Sequence, residues 1–320
     1  MPEKVLDNRH FYEGLGLDTN EEWILSRTGI HQRRIADVAN GEGTARMSVH
    51  AARQCLDRAG LTPEDVDGIL VATITGDLTF PATACVVQAE LGAKNAFAWD
   101  VSAACSGYVF TLAQATAMIR SGMARRILVI GAETMSSILD YTDRNTCIIF
   151  GDGAGATLVE KAEDGRGGEI LDFCMCTDGN GVEPLHMPAG GALRPPSHET
   201  VDERLHFVKQ DGRTVFKHAV TRISEVILQL LDKNGLDAND IDLVVPHQAN
   251  IRIIEACWKK LKIPKERVVV TVDQWANTTA ATIPTSLDYA LEEGLIQPGA
   301  NVVFATFGAG FTWGSTLLKW

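Results

Sequence analysis

Leu56-Asp57-Arg58-Ala59-Gly60-Leu61, then Asp65-Val66-Asp67 and the apolar run Ile69-Leu70-Val71, return 175 residues later as Leu231-Asp232-Lys233-Asn234-Gly235-Leu236, Asp240-Ile241-Asp242 and Val244-Val245. Each copy reads as a helix, a glycine stop, a short loop and a buried strand. The same offset lays Ile127-Leu128-Val129-Ile130 over Val302-Val303-Phe304-Ala305, and Val101 to Cys105 over Ala276 to Ala280. Further on the register changes, and Gly155-Ala156-Thr157-Leu158 echoes Gly314-Ser315-Thr316-Leu317. Any two strand-helix units look alike in part, but one offset that relates three separate segments marks a duplicated plan.

Short β-branched runs alternate with helical patterns such as Ser106 to Ile119 and Arg252 to Leu261, as expected of α/β units with mostly parallel strands. The expected fold is therefore α/β, two similar halves packed face to face, with domains over residues 1–165 and 166–320. Glu169 to Met175 reads as the opening strand of the second half. Its counterpart would fall before Met1, so the first half is expected to lack its own opening strand. In such sheets the chemistry gathers at the carboxyl ends of strands.

An apolar content of 45% with only 22% charged residues excludes a disordered chain. The formal charge of −12 disfavours nucleic acid and anionic membranes as partners. No apolar run approaches the ~20 residues needed to span a bilayer, and the first residues show no signal-peptide pattern. The seven cysteines are odd in number and scattered, unlike a secreted disulfide framework. A soluble, cytoplasmic protein is expected.

Cys105 sits where the strand Asn95 to Val101 turns, through Ser102-Ala103-Ala104, into the helix from Ser106. Most free cysteines are small buried hydrophobes. A thiol at this turn is different, because the helix N-terminus favours the thiolate and small neighbours leave room for a substrate. Cys55 and Cys257 read as core. Cys174 and Cys176 have no second pair at ligand spacing, so no metal site is expected. His247 follows the run Leu243 to Pro246, and Asn277 follows Val268 to Val272, so three reactive groups occupy equivalent strand ends. Phe307-Gly308-Ala309-Gly310 leaves a strand with its backbone N–H groups unobstructed, offering with the Cys105 N–H the two halves of an oxyanion hole. Gly151 to Gly155 lacks the spacing of a dinucleotide fingerprint and reads as a tight turn.

Taken together, Asp100-Val101-Ser102-Ala103-Ala104-Cys105-Ser106-Gly107, Pro246-His247-Gln248-Ala249-Asn250, Asn277-Thr278-Thr279-Ala280-Ala281 and the stretch from Phe307 to Gly314 closely resemble beta-ketoacyl-acyl carrier protein synthase III, of the thiolase superfamily. The resemblance implies a thiolase-like fold with αβαβα layers, a homodimer, and a decarboxylative Claisen condensation. An acyl-CoA primer, acetyl-CoA by expectation, would join malonyl-acyl carrier protein to give a 3-ketoacyl product that initiates fatty acid synthesis. It also implies Cys105 as the acylated nucleophile, His247 and Asn277 as donors to the malonyl thioester oxygen, and the backbone N–H groups of Cys105 and Ala309 as the second oxyanion site. Trp23, Arg27 and Arg144 match positions that hold the nucleotide end of coenzyme A, Trp23 and Arg144 by sandwiching the purine. Ile149, Phe150 and Phe307 match the acyl channel. No metal or redox cofactor is implied. Ala309 stands where some members of the family have the middle glycine of a Gly-Gly-Gly stretch, and Ala276 where the family usually has glycine before the Asn.

Between Ile251 and Arg267, Arg252, Lys259, Lys260, Lys262, Lys265 and Arg267 meet only Glu255 and Glu266. Arg252, Lys259 and Lys260 fall on one helical face. With Lys217 added by resemblance, this patch is expected to dock the acidic carrier protein. Two other readings stand beside this one. Papain-like hydrolases also use Cys, His and Asn in that chain order, and a condensing enzyme of a specialised pathway would share every motif above.

Overall fold

In the computed structural model, which describes residues 1–162 and 167–320, the duplicated apolar runs become the central strands of two sheets. The expected boundary between residues 165 and 166 lies outside the described residues. The first half runs β1 (Val5–Asp7), α1 (Glu21–Thr28), β2 (Gln32–Arg34), α2 (Thr44–Ala59), β3 (Gly68–Ala72), α3 (Thr83–Leu91), β4 (Phe97–Val101), α4 (Gly107–Arg120), β5 (Arg126–Glu133) and β6 (Gly153–Glu160). The second runs β7 (Glu169–Thr177), β8 (Leu185–His186), α5 (His198–Asp202), β9 (Lys209–Gln210), α6 (Gly212–Lys233), β10 (Leu243–Pro246), α7 (Ile251–Leu261), α8 (Val272–Trp275), α9 (Thr282–Glu292), β11 (Asn301–Gly308) and β12 (Thr312–Lys319).

The first sheet is ordered β4-β3-β5-β6 and the second β10-β11-β12-β7. In each, the repeated run is a parallel partner of the next strand, β3 with β5 and β10 with β11, and an antiparallel hairpin follows. Among the described residues β6 pairs with β5 alone, whereas β12 pairs with both β11 and β7.

Burial sorts the helices into layers. Tyr108, Val109 and Leu112 of α4 and Ile283 and Leu287 of α9 share one core with Val129 of the first sheet and Phe304 of the second. These two helices therefore lie between the sheets. α2 and α3 cover the outer face of the first sheet, and α6 and α7 the outer face of the second. The result is the αβαβα stack of the thiolase-like fold. α7 shows why: Ile253, Ile254, Cys257, Trp258 and Leu261 recur at helical spacing and are buried, each large apolar side chain worth about 1.5–3 kcal/mol.

Two local expectations fail. Val268 to Val272 is no strand: only Val268 bridges Val244, and the chain then enters α8. The cause is Gln248, whose Oε1 accepts the N–H groups of Thr271 (2.9 Å) and Val272 (3.1 Å) while its Nε2 donates to Val269 O (3.1 Å). A buried amide thus replaces the neighbouring strand, and Asn277 follows a short helix instead of a strand end. Nor is Gly151 to Gly155 only a turn, since Gly153 and Gly155 lie within β6. A Cβ on Gly155 would come within 2.9 Å of Pro284 and of Thr285 N, so the missing side chain lets α9 approach the sheet.

Among the described residues no helix is long and apolar enough to cross a membrane, no cluster of three metal-ligating side chains occurs, and all seven cysteines are free.

Candidate active site

The two central helices begin at the site. α4 is entered through the turn Ala104–Ser106 and α9 through the turn Thr279–Ala281, and these two turns pack on each other. Ala104, just before the cysteine, has φ +45°, a conformation that costs an L-residue free energy and that persists only where its surroundings enforce it. Enforcement comes from the other half. Thr306 of β11 donates to Cys105 O (2.7 Å), and Ser106 Oγ donates to Thr312 O of β12 (2.9 Å). A Cβ on Gly308 would sit 2.8 Å from Cys105 N, so the end of β11 can close on the turn only as glycine.

Cys105, His247 and Asn277, all buried, line one cavity of about 40 Å³ together with Ile149, Phe150 and Phe307. His247 follows β10, its N–H bonded to Ala305 O (2.8 Å), and its Nδ1 lies 2.7 Å from Thr282 Oγ1. Burial pushes its pKa down to about 3, so the imidazole is neutral at pH 7. Asn277 is stitched to the wall of the cavity, its N–H donating to Ile149 O and its carbonyl accepting from Gly151 N, both at 3.1 Å. Asn277 Oδ1 accepts the Thr279 N–H (2.9 Å), which leaves Nδ2 as the amide's free donor among the described residues.

The Cys105 thiol departs from the sequence-based expectation. Burial, reinforced by the charge of Glu133, pushes it up to about 12, against the pull of its own N–H and the Thr279 hydroxyl. The helix-end effect is typically a fraction of a kcal/mol to about 1 kcal/mol and loses to complete desolvation. At neutral pH the resting group is a thiol. Glu133, fully buried at the end of β5, accepts from Thr73 Oγ1 and Thr75 N, each at 3.1 Å, from Ile74 N, and from Thr75 Oγ1. Desolvation nevertheless raises it to about 7.

The walls are anchored from a distance. Arg33, fully buried, donates to Ile148 O (2.8 Å) and to Asn8 Oδ1 (2.8 Å) and lies 4.5 Å from the centre of the Phe11 ring. Burial lowers its pKa to about 10, and it stays charged.

Trp23 and Arg27 of α1 and Arg144 meet outside the cavity. The Asn20 cap accepts from Trp23 N (2.8 Å) and fixes the start of the helix. The Arg144 guanidinium lies 5.0 Å from the centre of the Trp23 ring, that of Arg27 lies 5.8 Å from it, and Arg144 also pairs with Asp18 at 3.1 Å. Two van der Waals layers need roughly 7 Å, so as they stand Trp23 and Arg144 leave no room for a purine between them. α1 abuts α7, where a Cβ on Gly29 would strike Ile251, and Ile253 of α7 lines the cavity. On the outer face of α7, Arg252, Lys259 and Lys260 are exposed, as is Lys217 on α6. Arg252 stacks on Phe216 at 5.5 Å, and Lys259 pairs with Glu255 at 3.7 Å. Sequence reasoning assigned no role to Gln248 and Thr279, although both lie within the quoted motifs, and it missed Thr282 and Glu133 altogether.

The profile of "3-Oxoacyl-[acyl-carrier-protein (ACP)] synthase III" matches residues 99–179, and that of the C-terminal part of the same family matches residues 231–320. The beta-ketoacyl-[acyl-carrier-protein] synthase III of Caldanaerobacter subterraneus subsp. tengcongensis is 47% identical over 320 residues, all of this chain and 95% of the relative. That of Koribacter versatilis is 46% identical, again over all of this chain and 95% of the relative. Among solved structures, 3-oxoacyl-[acyl-carrier-protein] synthase III from Aquifex aeolicus VF5 superposes with TM-score 0.91 at 42% identity, covering 100% of this chain and 97% of that one. The enzyme from Pseudomonas aeruginosa PAO1 gives TM-score 0.90 at 40% identity, covering 100% and 95%. With likeness running end to end and the Cys, His and Asn side chains lining one cavity, the chain belongs to the beta-ketoacyl-[acyl-carrier-protein] synthase III family of condensing acyltransferases.

Proposed function

We propose that the protein condenses an acyl-CoA primer with malonyl-acyl carrier protein and so initiates fatty acid synthesis. The observation that carries this reading is the shared cavity of Cys105, His247 and Asn277. Cys105 Sγ attacks the thioester carbon of acyl-CoA as its proton passes to His247 Nε2. Collapse of the tetrahedral intermediate expels the coenzyme A thiolate, which recovers that proton. Malonyl-acyl carrier protein then enters, its carboxylate leaves as carbon dioxide, and the enolate carbon attacks the acyl-enzyme and expels the Cys105 thiolate, which takes up a proton from water to restore the resting thiol. His247 Nε2–H and Asn277 Nδ2 donate to the enolate oxygen, and the N–H groups of Cys105 and Ala309 to the other oxyanion. Each such donor is worth on the order of 3 kcal/mol. These steps call for no metal or redox cofactor.

The single proton of the Thr282 hydroxyl supports both duties of His247. Directed at Thr279 O (3.0 Å), it lets the hydroxyl accept Nδ1–H and leaves Nε2 a base. Directed at Nδ1, it makes Nε2–H a donor.

The small cavity favours a short primer, acetyl-CoA. Trp23, Arg27 and Arg144 hold the nucleotide, and Lys217, Arg252, Lys259 and Lys260 dock the carrier protein beside the entrance. The exposed Leu78, Phe80 and Trp99 favour a homodimer formed through the first half. Mass spectrometry of the intact protein after incubation with acetyl-CoA tests the reading: a single acetyl adduct is expected, absent in Cys105→Ala. An adduct of equal yield in that variant would overturn it.

A further inference from the structure

Gln248 follows His247 directly, is buried, and gives its whole carboxamide to the backbone. Nε2 donates to Pro246 O (3.0 Å) and to Val269 O (3.1 Å), and Oε1 accepts from Thr271 N (2.9 Å) and Val272 N (3.1 Å). Two N–H donors and two lone pairs are all that a carboxamide has. The four bonds lie where two segments part. Val269 N still reaches Val244 O of β10 (2.9 Å), and beyond that point buried backbone groups need other partners.

The bonds bear on two reactive residues at once. Pro246 O and the Gln248 side chain close a ring through the backbone of His247, so the main chain that carries the imidazole cannot rotate without breaking it. On the other side, Thr271 N and Val272 N stand at the start of α8. Val272 O accepts from Ala276 N (3.0 Å) at the far end of this one turn, and Asn277 comes next. Asn277 is thus held by Gln248 on one side, through a single helical turn, and by Ile149 and Gly151 on the other. Thr271 Oγ1 also meets Ser286 Oγ of α9 (2.8 Å), one turn beyond the Thr282 that meets His247 Nδ1, so α9 receives both segments on one face. Cys105 has no such tie: its turn is held by Thr306 and Thr312.

We propose that Gln248 is a positioning residue that sets His247 against Asn277, the two donors to the malonyl thioester oxygen, and so serves decarboxylation more than acyl transfer. In decarboxylation one oxygen must accept from both side chains together, and a displacement of about 1 Å costs on the order of 100-fold in rate. Acetyl transfer asks less of the pair, since His247 takes one proton and Asn277 takes no part. The inference rests on the donor roles assigned under the proposed function.

Gln248→Met keeps the length of the side chain and removes all four bonds. Three quantities are read: decarboxylation of malonyl-acyl carrier protein, acetyl transfer from acetyl-CoA to Cys105, and KM for acetyl-CoA. Decarboxylation should fall by roughly 100-fold and acetyl transfer by about tenfold or less, with KM within about threefold of wild type. Gln248→Glu keeps the acceptor and donates at most one hydrogen bond. It should show the same order of losses, most severe at high pH, where a carboxylate would face two carbonyl oxygens. If both rates fall equally in Gln248→Met, or if neither falls, the positioning role is overturned. If His247→Ala and Asn277→Ala decarboxylate malonyl-acyl carrier protein like wild type, the donor reading fails instead. Should Gln248→Met not fold, as judged by circular dichroism, Gln248→Glu decides by the ratio of the same two rates, and an unchanged ratio overturns the proposal.

Discussion

His247 Nδ1 and Thr282 Oγ1 stand 2.7 Å apart in a buried site, and among the described residues the imidazole has no other side-chain partner. Thr282→Val leaves Nδ1 unsatisfied and the ring free to turn. Decarboxylation of malonyl-acyl carrier protein should fall by roughly 10- to 100-fold, and Thr282→Ser should restore it to within a few-fold. A Val variant with normal decarboxylation would show that the hydroxyl does not serve the imidazole.

Trp23 gives a prediction about binding alone. Its ring is half-buried and lies outside the cavity, so Trp23→Ala should raise KM for acetyl-CoA by roughly 3- to 30-fold, the range of a stacked cation or purine contact, with kcat nearly unchanged. A drop in kcat at saturating acetyl-CoA would tie the ring to the chemistry. Asp18→Ala, which frees Arg144 from its exposed ion pair, should change KM by less than about threefold.

Glu133 makes stability depend on pH with a definite sign. Its ordinary value of 4.5 is raised to about 7 in the folded protein, so the native state binds the proton more tightly than the unfolded chain. The stabilisation is complete below about pH 4.5 and is lost as pH rises through 7, on the order of 3 kcal/mol in all. In urea unfolding from pH 5 to 8, wild type should weaken progressively relative to Glu133→Gln. Parallel curves would place the ionised carboxylate in the native state across the whole range.

Ala276 occupies φ +59°, ψ −161°, a region nearly reserved for glycine. Ala276→Gly relieves strain of up to about 3 kcal/mol, against losses of about 0.8 kcal/mol for a buried methyl and 0.4–1 kcal/mol in the unfolded chain. A net gain of about 1 kcal/mol is expected in denaturant unfolding. A net loss would mean that the methyl packs better than its backbone suffers.

Arg252 stands next to cavity-lining Ile253 and points its charge outward. Arg252→Glu should weaken binding of the carrier protein by about tenfold or more, most clearly at low salt, and leave acetyl transfer from acetyl-CoA unchanged. Equal loss of both would assign Arg252 to the structure of α7.

What the sequence disclosed follows from what leaves a periodic trace. The match of Leu70 to Val245 or of Val129 to Phe304 reflects burial between the same layers in both halves, and such burial imposes repeating apolar runs. Cys105 and His247 were legible because each follows the end of such a run, whereas Asn277 was singled out beside a run, Val268 to Val272, that forms no strand. Gln248 was not, since a single amide that replaces a strand has no pattern, and so Val268 to Val272 read as a strand. Thr279 and Thr282 were equally silent: their roles depend on a left-handed turn that no glycine announces. The acidity of Cys105 was misjudged because sequence reveals the helix that begins there and conceals how completely the thiol is sealed from water.

Arg33 is fastened to Asn8 on one side and to the carbonyl of Ile148 on the other. The chain that leads into cavity-lining Ile149 and Phe150 is thus tied through Arg33 to Asn8, away from Cys105, His247 and Asn277. Alterations at Asn8 or Phe11 should be felt first as a changed preference among primers of different length and only later as loss of the fold. Selectivity in this enzyme can drift by way of residues that never meet a substrate.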